Sequence, residues 1–169
     1  NYGGDLKMVF YKMQGQEMLF QLVNEQVKED FSLWDNTAKK YLRQLDGVAN
    51  LDDIKFMKKE LFMQRYPHLR KNTQYVRDIV VYEIVGTGDT QHQIPTQYLF
   101  GFKKTANDDL NKAITNNKNL GVNPLEVLYK LRKTGQNKDT TYAIVVLEKI
   151  GLPQNVQQSQ TLIQPQQQQ

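Results

Sequence analysis

The side chains that most often perform catalysis or bind metal ions do not form a usable set in this sequence. The two histidines, His68 and His92, lie far apart in predicted loops, and neither has a second histidine at a spacing that metal sites use. The chain has no cysteine, which excludes disulfides and thiolate metal sites. The adjacent carboxylates Asp52–Asp53 and Asp108–Asp109 fall in predicted first helical turns, where the helix dipole favours acidic residues. We therefore predict a non-catalytic protein without a metal ion, a cofactor or a small-molecule substrate.

One stretch, AKKYLRQL at residues 38–45, places an aromatic ring between basic side chains. Alternate side chains of a strand point to the same face, so Lys39, Tyr41 and Arg43 would share one face and Lys40 would lie on the other. This combination suits a single strand of nucleic acid, because the ring stacks on a base for about 1–3 kcal/mol while the cations neutralise phosphates. The stretch therefore indicates a nucleic-acid-binding strand.

A second basic cluster surrounds a predicted hairpin. The sequence RKTGQNKDTTYAIVVL, residues 132–147, contains a turn rich in Gly, Asn and Asp between two strand-like runs. Tyr142 follows the turn, and the basic residues on or beside the hairpin tip are Lys130, Arg132, Lys133 and Lys138. A phosphate-binding surface would explain such a cluster.

Further residues complete the predicted nucleic-acid surface, and they are Phe31, Trp34, Arg70, Lys71, Lys103 and Lys104. The alternative interpretation stays open at this point. The four aromatic candidates, which include Tyr41 and Tyr142, would then be core residues, and the lysines would only keep a sheet edge soluble.

Composition limits the class of protein. The 169 residues suit one domain, and the formal net charge of +4 permits an anionic partner without requiring one. No apolar run approaches the roughly 18 residues of a membrane span, and no basic-then-apolar signal peptide opens the chain. We therefore expect a soluble, cytoplasmic protein with no membrane partner.

Short strands between turn residues predict a mainly β fold of the α+β kind, typical of a barrel or a sandwich. The predicted strands cover 7–12, 17–23, 27–34, 39–45, 75–85, 96–102, 127–133 and 140–150. One predicted helix spans 105–117, with Thr105 and Asp108 as a capping-box-like pair. A second predicted helix spans 51–63, with one apolar stripe made of Leu51, Ile54, Met57 and Leu61.

The C-terminal residues have a different composition. From Gln154 the last 16 residues include nine glutamines and no charge, and such a segment cannot bury enough surface to offset its ordering entropy. The predicted organisation is a single domain over residues 1–153, followed by a disordered Gln-rich tail over 154–169.

Four stretches of the chain resemble, in residue type and in order, the strands of a known protein family. VFYKMQGQEMLFQLV at 9–23 reads as strand, turn and strand, and FSLWDNTAKKYLRQLDG at 31–47 as an aromatic strand before a K-Y-apolar-R strand. YVRDIVVYEI at 75–84 is a central apolar strand, and NPLEVLYKLRKTGQNKDTTYAIV at 123–145 is a closing basic hairpin. In combination they resemble the single-stranded-DNA-binding proteins of tailed bacteriophages, and the resemblance covers roughly residues 9–150.

The resemblance implies an OB-fold-like small β-barrel with one or two helical insertions. It also implies largely sequence-independent binding of single-stranded DNA in phage replication, recombination or repair, within the host cell cytoplasm. Replication or recombination proteins would be further partners. Many members carry zinc-ribbon cysteines where this chain has RQLDGVANL, so no zinc is implied and the 51–63 segment would replace that element. Members also commonly end in an acidic tail, whereas this chain ends in glutamines.

Two competing hypotheses remain at this stage. A barrel of the same kind could bind RNA or a duplex. Alternatively, the chain could be a protein-interaction or virion-structural module whose aromatic residues form a subunit interface.

Overall fold

The computed structural model describes residues 6–136 and 139–162. Its strands are β1 (Leu6–Met8), β2 (Glu17–Leu22), β3 (Lys28–Asp35), β4 (Lys40–Leu42), β5 (Leu69–Val85), β6 (His92–Phe102), β7 (Val127–Thr134), β8 (Thr141–Lys149), β9 (Gln157–Gln158) and β10 (Gln160–Leu162). The helices are α1 (Asp52–Lys55), α2 (Lys59–Arg65) and α3 (Lys104–Asn119), with 3₁₀ turns at Gly88–Thr90 and Pro124–Glu126. The prediction of a mainly β fold is confirmed. Among the helices of the described ranges, none has the length and apolar character needed to cross a membrane.

The 17-residue strand β5 organises the main sheet. One edge of β5 pairs with β3 along its first half and with β2 further on, and the other edge pairs with β6. The sheet continues from β2 to β7 and β8 in the order β4-β3-β5-β2-β7-β8, and these neighbours are all antiparallel. Over the residues that the structure describes, this path has β4 and β8 at its two ends and does not close into a barrel.

The main hydrophobic core lies between the sheet and α3. Ala106, Leu110 and Ile114 recur every four residues, so they form one buried stripe of the helix. They pack against side chains of β2, β5, β6 and β7, among which Phe20 and Phe102 are fully buried. The 105–117 prediction therefore located the helix, but the predicted Thr105 capping box was wrong. The N-cap residue is Lys103, which provides no side-chain cap.

A second, smaller core lies under the insertion between β4 and β5. Predicted as one helix over 51–63, this segment instead forms α1 and α2, which are separated at residues 56–58. The break rotates the second half, so that Phe62 is buried with Ile54, whereas Leu61 of the predicted stripe is exposed. Both buried residues pack on Leu33 and Leu69, which belong to β3 and β5.

The Gln-rich segment also takes part in pairing. Predicted as disordered from Gln154 onward, it contains β9, which pairs in parallel with β6, and β10, which pairs with β1. The amide of Ser159 donates to the carbonyl of Gln97 at 3.1 Å and helps hold the segment against the sheet. The structure thus differs from the prediction over 157–162, and residues 163–169 of the predicted tail lie outside the described residues.

Candidate nucleic-acid interface

Three predicted site residues form a row across neighbouring strands. Trp34 of β3 is directly opposite Tyr41 of β4 on one side and Arg70 of β5 on the other. Directly opposed residues of a sheet share a face, so these side chains lie side by side, and we call them the aromatic row. The ring centroids of Trp34 and Tyr41 are 4.8 Å apart in an edge-to-face arrangement. Tyr41 is 55% exposed, which leaves a large part of its ring available to a ligand.

The smaller core determines which way the aromatic row faces. Leu33 and Leu42 are opposed on β3 and β4, and with Leu69 they pack towards the insertion helices. The next residue along each strand must point to the opposite face, because successive side chains of a strand alternate. Burial of the three leucines therefore directs Trp34, Tyr41 and Arg70 away from α1 and α2.

A tight turn sets the register of the two aromatic residues. The carboxylate of Asp35 accepts hydrogen bonds from the amides of Thr37 and Ala38, at 2.8 and 3.0 Å. These bonds, that from Ala38 most of all, hold the pKa of the Asp35 carboxyl below its ordinary value. Lys39 completes the turn with a positive φ of 57° and lies before β4 rather than within it. The predicted alternation of 39, 41 and 43 along one strand is therefore wrong at Lys39.

A polar row lies beside the aromatic row on the same face. Ser32 and Asn72 are directly opposed, and the amide of the Asn72 side chain donates to the Ser32 hydroxyl at 3.3 Å. The Lys103 ammonium donates to Asn72 Oδ1 at 3.3 Å, which brings this exposed cation from the end of β6 to the same face. The two rows together combine two aromatic rings, two cations and neutral hydrogen-bonding groups.

Lys103 also connects this face with the β7–β8 hairpin. It lines a small cleft of about 100 Å³ together with Lys133 and Tyr142. The last two residues are directly opposed in the hairpin, so their side chains share a face. The structure therefore brings together Trp34 and Arg70 at one end and the hairpin residues at the other, with Lys103 between them.

Two other cations of the hairpin, Lys130 and Arg132, lie on its other face. Lys130 and Arg132 alternate with the buried Leu131, and both interact with the carboxylate of Glu17, at 3.6 and 3.2 Å. The predicted basic arm is thus divided between two faces by strand alternation, and only Lys133 lies on the side of the cleft. Lys138 lies outside the described residues.

Arg43 lies on the predicted face but has a carboxylate partner. Its guanidinium forms an ion pair with Asp30 and remains 59% exposed. Partial burial by itself raises the pKa of Asp30, but hydrogen bonds from Arg43 and Gln74 outweigh this effect and keep the pKa below its ordinary value. A phosphate would therefore have to compete with an ionised aspartate for Arg43.

Four predicted site residues are used elsewhere in the structure. Phe31 is half-buried in the smaller core, and Lys40 is opposed to Asp35 on the face away from the aromatic row. Lys104 forms an ion pair with Asp108 within α3, at 3.0 Å.

Lys71 is the fourth of these residues, and it stabilises the insertion. Its ammonium donates to the carbonyl oxygens of Lys55 and Met57, at 3.0 and 2.7 Å, where α1 has ended. It also lies 5.2 Å from the centroid of the Phe62 ring. Lys71 therefore satisfies backbone groups that the broken helix leaves open, which explains a cation at this position without any ligand.

The polar row does not follow from the predicted strands. The predicted central strand begins at Tyr75, whereas β5 begins at Leu69. The local signal in LRKNTQ at 69–74 is weak, because all five residues after Leu69 are polar and no apolar alternation marks a strand. Residues 69–76 all pair with β3.

The described ranges contain no group of three or more acidic or histidine side chains that could hold a metal ion. Comparisons of the chain with protein-family models, with curated proteins and with solved structures find no match.

Proposed function

We propose that the protein binds single-stranded DNA without catalysis and largely independently of sequence, in phage-type replication, recombination or repair. The observation that carries this proposal is the aromatic row, in which an exposed tyrosine and a half-buried tryptophan lie beside Arg70 on one sheet face. Bases of any sequence have a π-face on which such rings can stack, and cations beside the rings can neutralise the phosphates between bases.

The positions of the cations support a path for one strand of DNA across the protein surface. From Arg70, the surface continues through Asn72 and Lys103 to the cleft with Lys133 and Tyr142. Rings occur near both ends of this path and cations recur along it. Such a surface favours a flexible single strand, whose bases are free to stack, over a duplex, whose bases are already stacked.

The proposal takes the sheet to be an open form of an OB-type surface. The resemblance to phage single-stranded-DNA-binding proteins implies such a fold, and in OB-folds a sheet face and its flanking loops hold the strand. In this chain β3, β4 and β5 would supply the face, and the β7–β8 hairpin would supply one wall. Replication or recombination proteins would be the partners of the DNA-bound protein.

Fluorescence of the single tryptophan provides a direct test, because Trp34 belongs to the aromatic row. We expect saturable quenching on titration with oligo-dT. If four or five phosphates are neutralised, the slope of log K against log salt is about −3, at roughly −0.7 for each phosphate on a single strand.

Parallel titrations with single-stranded RNA and with duplex DNA distinguish the competing hypotheses. Equal or tighter binding of either ligand would overturn the preference for single-stranded DNA. If quenching and a mobility-shift assay both show no binding, the nucleic-acid function is wrong. Self-association of the protein without nucleic acid, measured by sedimentation, would then support an interaction module.

A further inference from the structure

Basic residues are dense in one segment, residues 55–71, which runs from the end of α1 to the start of β5 and closely follows the acidic pair Asp52–Asp53. Residues 55–71 contain six Lys or Arg and one Glu, which gives the segment a net charge of +5. Because the whole chain carries +4, the other residues together carry −1. Lys55 forms an ion pair with Glu29, and Lys71 donates to backbone carbonyls. The other four cations of the segment are exposed to an anionic partner, and of these only Arg70 belongs to the aromatic row.

The same segment contains an apolar cavity. A groove of about 440 Å³ opens beside α2, with Phe62, Tyr66 and Leu69 among its lining residues, and we call it the α2 groove. Met63 also lines it and is 58% exposed, so its side chain adds apolar surface at the mouth of the groove. Its size matches pockets that receive small apolar groups. Lys59 and Arg70 contribute basic groups to the lining.

The Phe62 ring of the α2 groove is poorly placed for stacking on a base. Phe62 is only 5% exposed, and its ring is covered by the Tyr66 ring at 5.7 Å and by the Lys71 ammonium at 5.2 Å. An inserted aliphatic or aromatic side chain needs only an apolar cavity, not a free ring face. The flexible side chain of Met63 can adapt its shape to such a group.

From this combination we propose that the α2 groove binds an acidic peptide segment of a partner protein, with one apolar side chain inserted into the cavity. The acidic residues would interact with the cations of the 55–71 segment, and the apolar side chain would cover Met63 and the cavity floor. Because α1 and α2 lie on the opposite side of β3 and β4 from the aromatic row, peptide and DNA can bind together, with Arg70 at the border between the two surfaces.

The probe is a synthetic, fluorescein-labelled peptide of about ten residues, rich in Asp and Glu, with one central phenylalanine. Binding to the full chain is followed by fluorescence anisotropy. A second probe carries serine instead of the phenylalanine. We expect the serine probe to bind at least about fivefold more weakly, since it lacks the group that would fill the cavity.

Two pairs of variants locate the site. Lys59→Glu and Lys112→Glu make the same change of charge at exposed positions, one at the α2 groove and one on α3. We expect about tenfold weaker peptide binding for Lys59→Glu and less than a twofold change for Lys112→Glu. Met63→Ser should weaken only the phenylalanine probe, whereas Met63→Leu should keep its affinity, because leucine retains the apolar contact.

The same proteins are titrated with oligo-dT, which separates this proposal from the proposed DNA binding. We expect Met63→Ser to leave the oligo-dT affinity within twofold, and saturating oligo-dT to leave the peptide bound. Absence of peptide binding, or equal binding of both probes, would overturn the proposal. Complete displacement of the peptide by oligo-dT, together with weaker oligo-dT binding by Met63→Ser, would show instead that the groove is part of a nucleic-acid site.

Discussion

Replacement of Tyr41 by alanine isolates the contribution of the aromatic row to DNA binding. Base–aromatic stacking is worth about 1–3 kcal/mol per base by alanine substitution. At about 1.4 kcal/mol for each factor of ten, the dissociation constant for oligo-dT should rise by about fivefold to 150-fold. The upper part of this range requires that Tyr41 stack fully on a base.

The folded state should tolerate this substitution. Tyr41 is 55% exposed and belongs to a three-residue strand at the end of the sheet. Its main defined contact is the edge-to-face pair with Trp34, and such pairs contribute about 0.5–1.5 kcal/mol beyond buried area. We therefore expect the free energy of unfolding, measured in urea, to fall by no more than about 1.5 kcal/mol.

Two control variants make the measurement decisive. Tyr41→Phe retains the ring, so its affinity should stay close to that of the original protein. Phe56 is 77% exposed in the link between α1 and α2, so Phe56→Ala removes an exposed ring that lies outside the aromatic row. If Tyr41→Ala and Phe56→Ala bind oligo-dT equally well while both remain folded, the reasoning is refuted. Unfolding of Tyr41→Ala would instead show that Tyr41 belongs to the core.

Three further predictions follow from the contacts of individual residues. Lys71→Met should lower the free energy of unfolding by about 1 kcal/mol through lost hydrogen bonds, with little effect on DNA affinity. Arg70→Met should instead leave the free energy of unfolding unchanged and reduce the slope of log K against log salt for DNA binding by about 0.7. Asn107→Ala should destabilise the protein by about 1–3 kcal/mol, because Asn107 accepts from Nε of the buried Arg77 at 3.0 Å and the Arg77 Nη1 atom already has no partner among the described residues. Burial, assisted by a neighbouring glutamate, raises the pKa of Tyr98 from 10.0 to about 12, so its stabilising contribution is present below pH 10 and is lost as the pH rises towards 12.

Urea unfolding and oligo-dT titration of the same variants check all three. Equal effects of Lys71→Met and Arg70→Met on binding would contradict their assignment to different faces. Unchanged stability of Asn107→Ala would show that Arg77 finds another acceptor. The stability difference between the original protein and Tyr98→Phe should narrow between pH 10 and pH 12, and a constant difference would contradict the raised pKa.

Several elements could be recognised from the sequence because their local patterns are strong. The four-residue spacing of Ala106, Leu110 and Ile114 predicts the buried stripe of α3, and the structure buries all three. Short strand-like runs between turn residues predicted β2 and β7, which contribute buried residues to the main core. These signals are reliable because a regular element repeats its buried face at a fixed period.

Elements with weak local signals were missed or placed incorrectly. The first half of β5 is polar at most positions, so the predicted strand began six residues too late, at Tyr75 rather than Leu69. Its strand conformation is stabilised by pairing with β3, which is a non-local contact. The insertion was predicted as one helix because its apolar residues fit one stripe, but the structure breaks it to bury Phe62 as well as Ile54.

The residue types available for a nucleic-acid surface follow from the sequence alone, whereas strand pairing and burial in the folded chain select those that can act together. Arg70 and Lys71 are adjacent and similarly charged, yet one lies beside Trp34 and the other donates to carbonyls next to α1. Phe31 and Trp34 belong to one strand, yet strand alternation sends the former into the smaller core. The physical reason is that the type of a side chain depends only on its own position in the sequence. The face on which it lies and the partners that it contacts depend on strand pairing and on burial, which involve distant parts of the chain.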